Sequence, residues 1–270
     1  MTQDVLAFIG GGNMAAAIIG GLVAAGRRSD SILVIDPGDA QRARLAAEHG
    51  VRTQAAADAA LAQAKVVVWA VKPQLFNEAA APCAAHVHGA LQFSVMAGIR
   101  SDAIVRATGS QRVVRSMPNT PALIGQGIAG LYARDAVSAD ERRTAEALLA
   151  PTGRTLWVAR EEDLDAVTAL SGSGPAYVFY FVEAMMQAAQ EMGLSAEQGK
   201  QLALTTFAGA TALAQASNEP PEVLRERVTS KGGTTYAALN SLENSGVKAA
   251  FVKALKAAQQ RAKELGDQFG

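Results

Sequence analysis

Two short segments hold residues whose types and spacing suit chemistry on a small anionic substrate. In Ser230-Lys231-Gly232-Gly233-Thr234-Thr235, adjacent glycines permit a turn whose N–H groups point together. A helix over 234–243 starts there with its positive dipole end, so the turn suits a carboxylate. The second segment, Gly10-x-Gly12-x-x-Ala15, lies between an apolar strand and a helix. Gly10 allows a tight turn, Gly12 lets a pyrophosphate approach backbone N–H groups at the helix start, and Ala15 permits close helix–strand packing. The expected cofactor contacts at this turn are Ile9, Gly10, Gly11, Gly12, Asn13 and Met14. Asp36, at the end of the next strand, stands where an acidic residue binds the adenosine ribose. A 2′-phosphate about 4 Å away would meet repulsion of several kcal/mol at an effective dielectric near 20. NADH is therefore expected to be favoured or tolerated: no arginine follows Asp36 immediately, and Arg42 and Arg44 are the candidates to reach the same rim.

These segments need a scaffold. Val5–Ile9, Ile32–Ile35 and Val66–Val71 are apolar throughout and alternate with Ala-rich segments, 40–49 and 59–64, that read as helices. Strands of that kind form a parallel sheet covered on both faces. Further strands are predicted at 91–95, 112–117, 128–132 and 155–158, giving a doubly wound Rossmann-like α/β domain over 1–161. From 162 to 270 no Val/Ile-rich strand recurs, and helix punctuation takes over. Pro175 suits a first turn, Gly193 a left-handed stop, and Ser195 with Gln198 a capping box. Ser138 with Glu141 is another, and the last helix runs over about 247–265. Glu183 is the only charge between Ala176 and Gln190, and none occurs between Gln201 and Asn218. Helices apolar almost all round need cover on several sides. A homodimer supplies it; the alternative is a buried central helix pair within one chain.

Composition narrows the classes. With 25 Lys+Arg against 25 Asp+Glu among 270 residues, there is no basic surplus for nucleic acid. The run from Phe8 to Gly26 approaches the length of a membrane span, but its three consecutive glycines oppose a continuous helix. No membrane role is expected. One cysteine, Cys83, excludes an intramolecular disulfide and fits the cytoplasm. No metal site is expected, because His86 and His88 have only His49 as a further histidine.

Ala70–Pro73, Ser94–Ile99, Met117–Pro121, Ser171–Tyr177 and Ser230–Thr235, in this order, resemble the pyrroline-5-carboxylate reductases along nearly the whole chain. The resemblance implies hydride transfer from NAD(P)H to the C=N carbon of 1-pyrroline-5-carboxylate, giving L-proline. It further implies a helical C-terminal domain that interlocks into dimers, often assembled into decamers. By likeness, Thr235 hydrogen-bonds the ring nitrogen and assists its protonation, while Ser230, Gly232, Gly233 and Thr234 hold the carboxylate. Ala70, Val71, Lys72 and Pro73 with Met96, Ala97 and Gly98 would line the adenosine and nicotinamide parts of the cofactor, with Asn119 and Thr120 near the nicotinamide. Pro118 and Pro121 read equally well as a rigid turn.

Two departures stand out. Lys231 replaces the family's usual proline, which loosens the turn but sets an ammonium beside the carboxylate nest. Asp36-Pro37 stands where members that bind NADPH tightly often carry Ser or Asn followed by Arg. A β-hydroxyacid dehydrogenase is the enzymatic alternative, although Val178 occupies the place of its catalytic lysine. A non-catalytic dinucleotide-binding regulatory protein is the other. Gly172-Ser173-Gly174 lacks the strand and the downstream histidine of a nucleophile elbow, and Trp157, Met185 and Met186 read as core or interface.

Overall fold

The computed structural model describes residues 4–269. Its strands are β1 (Val5–Ile9), β2 (Ile32–Ile35), β3 (Arg52–Gln54), β4 (Ala64–Trp69), β5 (Leu91–Ser94), β6 (Val113–Met117), β7 (Gly127–Ala133) and β8 (Gly153–Trp157). They form one sheet in the order β3-β2-β1-β4-β5-β6-β7-β8. β1 lies between β2 and β4, all parallel, so the chain leaves the centre toward one edge and returns on the other side. The crevice beyond the end of β1 is the switch point at which such sheets bind ligands.

The strands are apolar on both faces because both are covered. Leu6 and Phe8 enter a core with Ile18 and Ile19, while Ala7 and Ile9 enter the opposite core with Trp69 and Phe76. The covering helices are α1 (Asn13–Ala24), α2 (Asp39–His49), α3 (Phe76–Ala80), α4 (Ala84–Val87), α5 (Ser101–Thr108), α6 (Ala139–Leu149) and α7 (Asp163–Val167). Ser138 and Glu141 form the expected capping box at α6.

The structure departs from the sequence expectations at several points. The segment 59–64 is not an α-helix but a 3₁₀ turn, Ala59–Gln63, whose first N–H groups are capped by Asp58. β4 starts at Ala64 and ends at Trp69, which leaves Ala70 and Val71 beyond the strand. β3 is an additional edge strand of three polar residues, without the apolar content that marks buried strands. The sheet is mostly rather than wholly parallel, since β7 runs antiparallel to β6, joined by a short loop instead of a crossover helix.

Two polar groups pin the sheet from inside. Gln92 on β5 is fully buried and satisfied: it accepts from Trp69 Nε1 at 2.9 Å and donates to the carbonyls of Val87 and Ala90. Arg115 on β6 pairs with Glu161 at 2.8 Å, and Glu161 also accepts from the N–H and hydroxyl of Ser101. Burial pulls the Arg115 pKa down from its ordinary value against the opposing pull of Glu161.

Residues up to Gly174 and those from Ala257 onward form one compact unit, and Pro175–Lys256 forms another. The second unit is helical: α8 (Gly174–Glu191, from its second residue), α9 (Ala196–Ala216), α10 (Pro221–Arg227), α11 (Thr234–Asn244) and the start of α12 (Val247–Phe269). Ser195 and Gln198 form the expected capping box at α9. A Cβ at Gly199 would lie 2.9 Å from Ala189 Cβ, so the glycine lets α8 and α9 approach closely. Tyr177 and Phe181 pack edge-on to Phe251.

The two charge-poor helices, α8 and α9, are not the buried centre of one chain. Only Val182 and Ala189 of α8 and Gly199 and Ala203 of α9 are buried, while Phe179 and Tyr180 are 58% and 69% exposed. Covering a large apolar side chain contributes about 1.5–3 kcal/mol, so this surface favours association. Met185 is likewise exposed, and Trp157 is half-buried, donating to Glu146 under the Arg142 guanidinium. No described helix is long and apolar enough to cross a membrane.

Replacing Gln92 by leucine leaves the buried Trp69 Nε1 without an acceptor and takes one of two donors from each of the Val87 and Ala90 carbonyls. Gln92→Leu is expected to lower stability by about 1–3 kcal/mol, read from the urea unfolding midpoint; an unchanged midpoint would refute the role of the network.

Candidate active site

The first site is built where β1 ends. The Gly10 N–H donates to the Ile35 carbonyl and the Ala70 N–H to the Ile9 carbonyl, both at 2.8 Å, so the exits of β2, β1 and β4 are tied together. Gly10 has φ +95°, and a Cβ there would lie 2.7 Å from the Ala70 carbonyl oxygen. Only glycine fits. Gly12 is the exposed N-cap of α1, and a Cβ there would meet nothing within 4 Å. The first turn of α1 carries no acidic side chain, so the free N–H groups around Asn13 and Met14 offer an uncompensated positive end.

Beside this turn opens a cleft of about 460 Å³ whose walls include Gly10, Gly12, Asp36, Ala56, Val71 and Leu75. The walls are mostly apolar, with a glycine floor and one carboxylate, and this fits a dinucleotide. Asp36 Oδ2 accepts from the Gly11 N–H and Oδ1 from the Gly38 N–H, each at 2.8 Å. Arg42 donates to the Asp36 carbonyl at 2.7 Å and pairs with Asp39, whereas Arg44 pairs with Glu48. Of the two arginines, Arg42 is thus the one at the Asp36 rim. Cys83 lies in the cleft wall, 1% exposed, and burial pushes its thiol up to about 11.

The other expected contacts take varied places. Ile9, Ala70, Val71 and Lys72 line the cleft, and Pro73 opens the 3₁₀ turn that follows. Gly11 is buried, and its N–H and carbonyl are engaged by Asp36 and Gln41. Met96 is buried in the core, with its N–H donating to Ser94 Oγ. Ala97 and Gly98 follow past the end of β5, Gly98 at φ +75° against Leu265. Asn119 Oδ1 accepts from the Ile128 N–H at 3.0 Å, which ties the loop after β6 to the start of β7. Thr120 and Pro121 begin a 3₁₀ turn closed by Gly125 at φ +69°. Gln41 and the wall residues 55–57 have no sequence signal of their own beyond lying after β2 and β3.

The second site lies in the helical unit. Gly232 takes φ +78°, and Gly233, extended, is the N-cap of α11. The Gly233 N–H donates to the Ser230 carbonyl at 3.0 Å, which closes the turn. A Cβ at Gly233 would lie 2.6 Å from Ser230 Oγ, so the glycine leaves room for that hydroxyl. Thr234 and Thr235 occupy the first turn of α11, where N–H groups lack intrahelical partners and no acidic residue competes for them. Thr235 is half-buried, whereas Ser230, Lys231 and Thr234 are exposed. The turn forms with Lys231 in it. Among the described residues no cluster of three His, Cys, Asp or Glu side chains comes together.

Comparisons with known proteins cover nearly the whole chain. Residues 161–265 match the family described as pyrroline-5-carboxylate reductase dimerisation, and residues 5–98 match NADP oxidoreductase, coenzyme F420-dependent. A structure of a pyrroline-5-carboxylate reductase from Coxiella burnetii is similar at a TM-score of 0.91 and 36% identity, over 98% of this chain and 99% of that one. The Plasmodium falciparum pyrroline carboxylate reductase, solved with NADP bound, is similar at 0.86 and 27%, over 98% and 99%. The pyrroline-5-carboxylate reductase of Pseudomonas aeruginosa is 45% identical across the whole of both chains. Identity of that extent over full length, in a chain with a glycine turn at the sheet's switch point and a threonine pair at a helix start, means that the chain belongs to the pyrroline-5-carboxylate reductase family.

Proposed function

We propose that the chain reduces 1-pyrroline-5-carboxylate to L-proline, the last step of proline biosynthesis, as an oxidoreductase acting on a CH–NH group. The observation that carries this reading is the turn at Gly232 and Gly233 opening α11 with Thr234 and Thr235 in its first turn. Bound NAD(P)H supplies the hydride. The chain's part is to bind, orient and protonate. Ser230, Gly232, Gly233 and Thr234 hold the carboxylate, where the helix dipole favours the anion. Gly233 contributes space rather than a donor, because its N–H is already engaged. The Thr235 hydroxyl hydrogen-bonds the ring nitrogen and assists its protonation, and a protonated C=N needs little beyond correct placement.

The dinucleotide is held on the 1–161 side, with the pyrophosphate at Gly12, Asn13 and Met14 and the ribose at Asp36. Residues 162–270 carry the substrate groups and the association surface. The Asp36 carboxylate favours NADH, and Arg42, half-buried at the same rim, supports tolerance of NADPH. The exposed apolar faces of α8 and α9 support a homodimer, with decamers as the higher assembly. The cytoplasm is the proposed compartment, supported by the lone buried cysteine.

The test follows nicotinamide absorbance with 1-pyrroline-5-carboxylate and each cofactor, with proline identified as product. Cofactor binding without oxidation would favour the non-catalytic reading. Thr235→Ala is expected to lower kcat about a hundredfold while the dissociation constant for NAD(P)H stays unchanged; wild-type turnover would remove Thr235 from the mechanism. Asp36→Ser should raise the NADPH-to-NADH ratio of kcat/KM roughly tenfold, and a constant ratio would mean that Asp36 does not face the ribose. Light scattering should give an even multiple of the 27.9 kDa chain. A monomeric mass would sink the dimer.

A further inference from the structure

We propose that Gln41, in the first turn of α2, is a positioning residue for the dinucleotide, holding the Gly10–Gly12 turn in its binding shape before any cofactor arrives. The proposal rests on the reading of the cleft beside β1 as the NAD(P)H site. Three consecutive glycines form the most mobile kind of backbone, and a ligand that had to order them would lose affinity to the entropy of doing so. Here the turn is gripped without a ligand. Gly11, the middle residue, is held at both of its polar groups by side chains from the segment after β2. Its N–H donates to Asp36 Oδ2 at 2.8 Å, and its carbonyl accepts from Gln41 Nε2. The space beside it is filled as well: a Cβ on Gly11 would lie 2.8 Å from Leu45 Cδ1 and 3.2 Å from Gln41 Cγ, so the position is closed to a side chain. The Gly11 peptide cannot swing its N–H toward the cleft, so the donors left facing a pyrophosphate are those from Gly12 onward, at the start of α1.

The two gripping side chains differ in what else they do. Asp36 lines the cleft, so replacing it alters both the turn and the ribose contact. Gln41 is half-buried, is not among the residues that line the cleft, and spends its side-chain amide on the turn. The adjacent Arg42 is directed instead to the Asp36 carbonyl and to Asp39. The contribution of Gln41 is therefore blind to the 2′-phosphate, whereas those of Asp36 and Arg42 are not.

The experiment compares the full-length wild type with Gln41→Met, of similar length but unable to donate, and Gln41→Glu, whose carboxylate faces the Gly11 carbonyl. NADH and NADPH are titrated separately by calorimetry, and amide hydrogen exchange at Gly10–Gly12 is followed in the cofactor-free protein. Gln41→Met should raise both dissociation constants by the same factor, about three- to tenfold. Exchange in the turn should quicken, while the melting temperature stays put. Gln41→Glu should bind more weakly still at pH 8. Unchanged dissociation constants with unchanged exchange would overturn the proposal. So would a loss confined to one cofactor, which marks a ligand contact, or a loss that tracks a fall in melting temperature, which marks a general packing role. If the wild type binds neither cofactor, the reading of the cleft fails as well, and that outcome is distinct from the others.

Discussion

The structure turns on one close approach, between the α-carbon of Gly10 and the carbonyl of Ala70. β1 and β4 are neighbours at the middle of the sheet, and their chains separate there: one enters α1 and the other the loop along the cleft. With 2.7 Å between an imagined Cβ and that oxygen, any side chain at position 10 would push the β4 exit away. The same movement would break the Ala70 N–H bond to Ile9 and open the floor of the cleft. Everything the first unit offers a ligand is referred to this point: the donors at the start of α1, the carboxylate at the end of β2 and the apolar wall from Val71.

Much of this was legible because burial on both faces leaves a plain mark. The central strands read as unbroken apolar runs, and their opposite-facing residues enter two separate cores. Strand direction leaves no such mark. Nothing in the residues of Val113–Met117 or Gly127–Ala133 announces that one is reversed against the other, because direction is set by the intervening loop. That loop is held by Asn119 across to Ile128, a contact that no residue pattern announces. β3 escaped notice for the opposite reason, being a polar edge strand that buries little. In the site, glycines and the acidic residue were readable from spacing. The hold of Gln41 on Gly11 was not, since it joins positions thirty residues apart through a side chain that would look ordinary on any helix.

The helical unit shows the complementary lesson. α9 opens on a capping box and is specified locally, but the surfaces of α8 and α9 are not those of a chain at rest in water. Aromatic and aliphatic groups face outward from a backbone packed closely through Gly199. Such a surface is a statement about concentration, because the stability of helices that gain cover from a second copy depends on how much of that copy is present. Lys231 is also settled in part. The turn into α11 is carried by the left-handed backbone of Gly232 and the bond from Gly233 to Ser230, and neither needs a proline before it.

The lone thiol has a consequence for anyone handling the protein. Cys83 is buried in the wall of the cleft, and burial pushes its pKa up to about 11, which disfavours the reactive thiolate at pH 7. To alkylating reagents and maleimide dyes the folded chain therefore behaves as though it had no cysteine. A single cysteine placed on the surface would take up a fluorophore or spin label at one address, with the native residue left in place.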